Sequence, residues 1–228
     1  MNLTFNHWLL GCLAAFLIGM AKTGVPGVGI LSIPMLAAIF GGRTSLGILL
    51  PLLILGDCMA VAWYRQHARW ERLVRLIPWV LAGLAIGTLV LWRLGEYNTH
   101  RDYINTIIGV LVLVMLAFNL MLRRWGDLSM FHSPWGVASL GSAAGFSTVL
   151  SNAAGPFMII YFTSLRLPKE QLIGTSAWYY LIFNLGKLPI YAWLTYLNPA
   201  KPIITAGSLL FSFALFPAIL LGAMSGRH

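Results

Sequence analysis

At 228 residues the chain is 59% hydrophobic and only 9% charged, where a soluble domain carries about a quarter charged residues, so too few polar side chains remain to cover a water-facing surface and a soluble fold is excluded. The net charge of +9 would suit a nucleic-acid partner in a soluble protein, but here Lys and Arg stand mainly between apolar stretches, where they orient membrane segments, and nucleic-acid binding is excluded too. Since one span takes roughly 20 apolar residues, about eight to ten crossings fit, and the expectation is a single membrane domain over 1–228.

Apolar runs occur near 8 to 21, 27 to 41, 45 to 64, 74 to 92, 103 to 122, 134 to 150, 153 to 165, 172 to 196 and 203 to 224. The runs 8 to 21, 27 to 41 and 153 to 165 fall short of a full span, because 14 helical residues rise only about 21 Å; they are expected to be half-helices or re-entrant pieces. The opening Met1 to His7 lacks the basic region and small-residue cleavage site of a signal peptide, so the first run should remain in the mature protein. Arg65, Arg69, Arg72 and Arg75 fill one loop, Arg123 and Arg124 another, and Arg166 with Lys169 a third. These alternate with loops poorer in positive charge and should be cytoplasmic, which puts the N-terminus outside a multi-pass protein of the inner, or plasma, membrane. Trp8, Trp63, Trp70, Trp92, Trp125 and Trp135 lie near segment ends, as an interfacial aromatic belt requires. The run Trp178-Tyr179-Tyr180 lies deeper, where core packing or the lining of a pathway would account for it.

The chain also matches itself. Gly19 to Gly29 aligns with Gly145 to Gly155 with the end glycines in register, Gly56-Asp57 falls near Gly186-Lys187, and Pro78, Gly83 and Gly87 align with Pro217, Gly222 and Gly226. Five segments precede the second copy, so the halves should be inverted in the membrane, as in many secondary transporters. The fold expected is an all-α polytopic membrane protein of two inverted repeats with interrupted segments, 1–122 and 133–228, the second lacking its last helix.

In such proteins the substrate site lies near the midplane, where glycine- or proline-interrupted segments of the two halves meet. Lys22 and Thr23 stand among Gly24, Pro26, Gly27 and Gly29, which let the backbone unwind and expose its N–H groups. Ser147, Thr148, Ser151 and Asn152 precede Gly155-Pro156 and offer neutral donors. Two half-helix N-termini meeting there favour an anion; close packing through small residues is the plainer explanation of the same glycines. A charge at the centre of a span costs roughly 2.5 to 3.5 kcal/mol on insertion scales, which singles out Lys22, Asp57 and Lys187. Lys22 and Lys187 can bind or pass an anion, with Asp57 holding a lysine or relaying a proton; an Asp57–Lys187 structural ion pair is the alternative. Cys12 and Cys58 are the only cysteines, and His7, His67, His100, His132 and His228 show no metal-ligand spacing, so neither a disulfide framework nor a protein-ligated metal is expected.

With Gly19, Lys22, Gly24, Gly27, Gly29 and Pro34 in the first half, and Asn184 with Lys187 following Thr175-Ser176 in the second, the sequence resembles the sulfite exporter TauE/SafE family, which groups with 4-toluene sulfonate uptake permease-like transporters. The resemblance implies two inverted repeats, no organic cofactor, and transport of small sulfur-containing anions such as sulfite, sulfonates or sulfoacetate, usually outward. It points to Lys22, Gly24, Gly27, Gly29, Pro34, Asn184 and Lys187. The expected partners are a small anionic substrate and membrane lipids, with assembly into a homo-oligomer left open. An anion channel would need similar donors, and a membrane assembly factor for an envelope complex is the reading from a different class. An enzyme would need paired acid, base or nucleophile groups at membrane depth, where Asp57 is the one clear carboxylate, so no enzyme is expected.

Overall fold

The structure, a computed structural model, describes residues 3–24, 27–96 and 133–227 and isolated positions between 106 and 131. The expected segment 103 to 122 lies largely outside the described residues, and Pro26, Arg101, Arg123, Arg124, Trp125, His100, His132 and His228 lie wholly outside them. Every long element among the described residues is helical: α1 (Phe5–Thr23), α2 (Ser32–Phe40), α3 (Gly42–Tyr64), α4 (Trp70–Glu96), α5 (Pro134–Ser151), α6 (Gly155–Ser164), α7 (Lys169–Leu197), α8 (Ala206–Ala214) and α9 (Phe216–Arg227).

Local chemistry sets the ends. Ser133 caps α5 by accepting from the Gly136 N–H at 3.0 Å, with Pro134 in the first turn, where its missing N–H costs nothing. Thr205 and Ser208 cap one another's backbone at the start of α8. Gly41, at φ 77, lets the chain reverse between α2 and α3 in a conformation a side chain would oppose.

Three of these helices are long and apolar enough to cross a membrane alone, Phe5–Thr23, Gly42–His67 and Trp70–Leu94. The stretch expected as one run from 203 to 224 is instead broken at Leu215: α8 and α9 meet at a 45° bend and together make a fourth candidate span. Outward faces are apolar, with Leu9, Ile86, Leu89, Phe213 and Leu221 exposed, as a lipid solvent allows.

The most extensive helix contacts are α4 on α5 and α1 on α9. Glycines bring each pair to backbone contact. A methyl group on Gly19 would strike the Ile219 carbonyl and the Ala223 nitrogen, and one on Gly222 would strike the Phe16 carbonyl. On the other pair, a methyl on Gly145 would strike the Val80 carbonyl and the Leu84 nitrogen, and one on Gly83 the Ser142 carbonyl. Without side chains between them the helix axes approach closely, the geometry small residues provide inside membranes.

Candidate functional site

Two helix breaks face one cavity. The first follows α1: Gly24 leaves the helix, Gly27 turns through φ 98, and a short 3-10 turn over Val28–Leu31 leads into α2. The second follows α5, where Asn152 ends the helix in the left-handed region at φ 56 and α6 begins at Gly155. The cavity, about 140 Å³, lies among α1, α3, α6 and α7. Gly27, Gly29, Asn152 and Gly155 line it from the breaks, and Lys22, Ser176, Tyr180 and Asn184 bring polar atoms. The rest of its wall is mainly apolar, including Ile33, Leu53, Ile159 and Phe162.

Lys22 is the charged residue of that wall. Its Nζ lies 2.6 Å from Asp57 Oδ1 and 3.9 Å from the centre of the Tyr180 ring. The side chain keeps 11% exposure, whereas Asp57 has none. Gly56 makes the approach possible, since a side-chain carbon there would stand 3.1 Å from Lys22 Cγ. The second carboxylate oxygen accepts from Asn184 Nδ2 at 2.6 Å. Both oxygens of Asp57 are thus engaged from two other helices, as a buried charge requires.

Lys187 is arranged differently. The Asp57 carboxylate pairs with Lys22 rather than with Lys187, whose Nζ donates to Thr148 O at 3.2 Å, Thr148 Oγ1 at 2.9 Å and Asn152 Oδ1 at 2.5 Å. An ammonium has three protons, and here each has an acceptor within the protein. Lys187 is fully buried and caps the carbonyl end of α5, where a cation is favoured. Asn152 passes the link on, its Nδ2 donating to Leu46 O on α3 at 3.2 Å.

The other residues the sequence pointed to divide between cavity and framework. Thr148 and Ser176 reach the cavity wall, although Ser176 donates to its own helix at Ile173 O, 3.0 Å. Thr23 donates to Ala223 O at 2.7 Å and joins α1 to α9, and Gly24 abuts the Gly226 carbonyl. Ser151 turns back to Ser147 O at 2.9 Å. Thr175 accepts from the Arg69 N–H at 2.9 Å and donates to Gln171 O at 2.6 Å, tying the loop before α4 to α7. Tyr180 is the contact that sequence reasoning placed least well. Ser176, Tyr180 and Asn184 recur every fourth residue on one face of α7, and that spacing was its signal.

A helical membrane protein with an intramembrane ion pair at a cavity between two broken segments is the arrangement of a polytopic solute-handling protein. The chain belongs to the sulfite exporter TauE/SafE family, whose sequence model matches residues 10–228. That family consists of membrane transporters rather than enzymes. No curated protein and no solved structure matches the chain.

Proposed function

We propose that this chain is a secondary transporter that moves small sulfur-containing anions of the sulfite, sulfonate and sulfoacetate kind outward across the plasma membrane, binding them at Lys22. The observation that carries this reading is the contrast between the two buried lysines. Lys22 stands in the cavity wall with one carboxylate contact, so it retains protons for an incoming oxyanion, while Lys187 has none to spare. Asn184, Ser176 and the glycine backbone at 27 and 29 supply neutral partners. Lys187, Thr148, Asn152, Thr23, Gly24, Ser151 and Thr175 hold the frame. The direction fits the position of the cavity, which reaches Thr163, Leu172 and Ile173 beside the loop bearing Arg166 and Lys169, the side that the basic residues mark as cytoplasmic.

We further read the chain as two inverted repeats, 1–122 and 133–228. The support is a match between contacts and alignment. Setting Gly19 on Gly145, and Gly83 on Gly222, brings Val80 onto Ile219, Leu84 onto Ala223 and Phe16 onto Ser142. These are the groups that the four glycines meet. A further pair, Gly47 against the Ile203 carbonyl and Gly174 against the Tyr64 carbonyl, aligns α3 with α7 so that Asp57 falls on Asn184 rather than beside Lys187. Asp57 and Asn184, bonded to each other, would then stand at the pseudo-twofold axis, where transporters of this design bind substrate.

Counterflow of sulfite and methanesulfonate in proteoliposomes tests the function. The intact chain should show saturable exchange that Lys22→Ala abolishes. Absence of flux for every anion overturns the reading, and flux that never saturates identifies a channel.

A further inference from the structure

Resting on the transporter reading above, we propose that Asp57 makes the cavity prefer anions of a single negative charge, with an apolar body where the anion is organic, so that within the proposed class hydrogensulfite and simple sulfonates rank above the doubly charged sulfoacetate, and inorganic dianions such as sulfate are disfavoured. The juxtaposition that carries this is Lys22, Asp57 and Lys187, three formal charges buried together among apolar helices with net charge +1. Lys22 and Asp57 are in contact at 2.6 Å. Lys187 donates all three protons to neutral acceptors and so contributes its charge without offering a ligand. The remaining neighbours of the carboxylate are neutral: Asn184 donates to it and Tyr180 presents a ring face to Lys22.

One negative charge on the substrate brings this cluster to zero, which is the inexpensive state inside a membrane. A second charge leaves the cluster negative, and it must also sit near Asp57, which already occupies the one lysine with protons to share. Much of the cavity wall gives no compensation, because Ile30, Ile33, Leu53, Ile159 and Phe162 offer hydrocarbon. That wall suits a methyl or longer carbon chain, and its polar members, Ser176, Asn184 and the Gly27 and Gly29 backbone, are neutral, so a second charge meets no second cation.

The test compares influx of methanesulfonate, a monoanion at any working pH, with that of sulfate, in proteoliposomes of the intact chain, Asp57→Asn and Asp57→Glu. The intact chain and Asp57→Glu should favour methanesulfonate at least roughly tenfold in kcat/KM, the ratio one charge-assisted contact supports. Asp57→Asn raises the cluster by one positive charge and should bring sulfate influx level with methanesulfonate or above it. Should Asp57→Asn fail to fold, the intact chain decides alone: over the pH range where sulfite passes from monoanion to dianion, influx must follow the hydrogensulfite fraction, corrected for empty vesicles. Lys22-dependent flux with equal sulfate and methanesulfonate rates overturns the selectivity and leaves the transporter reading standing, as does an unchanged ratio in a folded Asp57→Asn. No flux of either anion, or of sulfite, overturns both.

Discussion

Asn184 Nδ2 donates to Asp57 Oδ2 at 2.6 Å, while the other carboxylate oxygen holds Lys22 at 2.6 Å, so one fully buried carboxylate joins α1, α3 and α7. Removing one partner of such a pair leaves an uncompensated charge, at a cost of about 3–5 kcal/mol. Lys22→Ala should therefore lower the unfolding temperature in detergent sharply, and Lys22→Ala/Asp57→Asn should recover most of the loss. Anion flux should stay absent in both. Flux restored in the double variant would show that Lys22 serves stability alone.

The three acceptors around Lys187 define a different phenotype. Lys187→Met leaves Thr148 Oγ1 and Asn152 Oδ1 without their donor, while Thr148 O keeps the Asn152 N–H at 3.0 Å, at roughly 1–3 kcal/mol for each buried group left unpaired. The stability loss should rival that of Lys22→Ala, whereas the KM of whatever protein folds should rise less, because none of the lysine's protons is free for the substrate. Thermal unfolding and saturation kinetics on one preparation check both; a larger KM effect at Lys187 than at Lys22 reverses the assignment.

Much of this arrangement is legible from the residues alone. Hydropathy and the glycine and proline breaks locate α2 to α4 and α5 to α7 closely, because a segment in lipid must satisfy its backbone internally and so is helical, whereas α1, whose apolar run 8 to 21 looks too short to span, continues through polar flanks to 19 residues and is long enough to cross. Lys22, Asp57 and Lys187 stand out by the cost of burying charge. The partner of Asp57 does not, since two lysines compete for it and only the packing of α1 against α3 through Gly56 favours Lys22. The bend at Leu215 is likewise hidden, since the run from 203 to 224 stays apolar on either side of it and Pro217 is the mark of the break. Thr23, Ser151 and Thr175 look like ligands in sequence because their hydroxyls are polar groups in apolar runs. In the fold those hydroxyls bond to nearby carbonyls, as Ser and Thr commonly do in membrane helices.

Tyr180 separates ring from hydroxyl. Its aromatic face is 3.9 Å from Lys22 Nζ, a contact worth about 0.5–2 kcal/mol depending on solvation. Tyr180→Phe keeps the face and should leave the KM for sulfite within about twofold. Tyr180→Leu should raise it by between twofold and thirtyfold, the range those energies convert to. Equal defects in the two variants would assign the effect to the hydroxyl.

The two glycine crossings give the sharpest test of the repeat. Gly19 meets Ile219 and Ala223, and Gly145 meets Val80 and Leu84, through backbone atoms that cannot swing aside as a side chain end does. Overpacking of this kind costs typically about 1–3 kcal/mol, and more where backbone must move. Gly19→Val and Gly145→Val should therefore destabilise the protein to a similar degree, each by separating one helix pair, α1 from α9 or α4 from α5. If the halves are inverted copies that pack crosswise, the double variant should lose about the sum of the single losses, since the two crossings share no contact. Thermal unfolding of the two single variants and the double variant measures this. A destabilising Gly19→Val beside a neutral Gly145→Val would mean that the matched contacts carry unequal load, and the symmetry would then describe the chain path without describing its energetics.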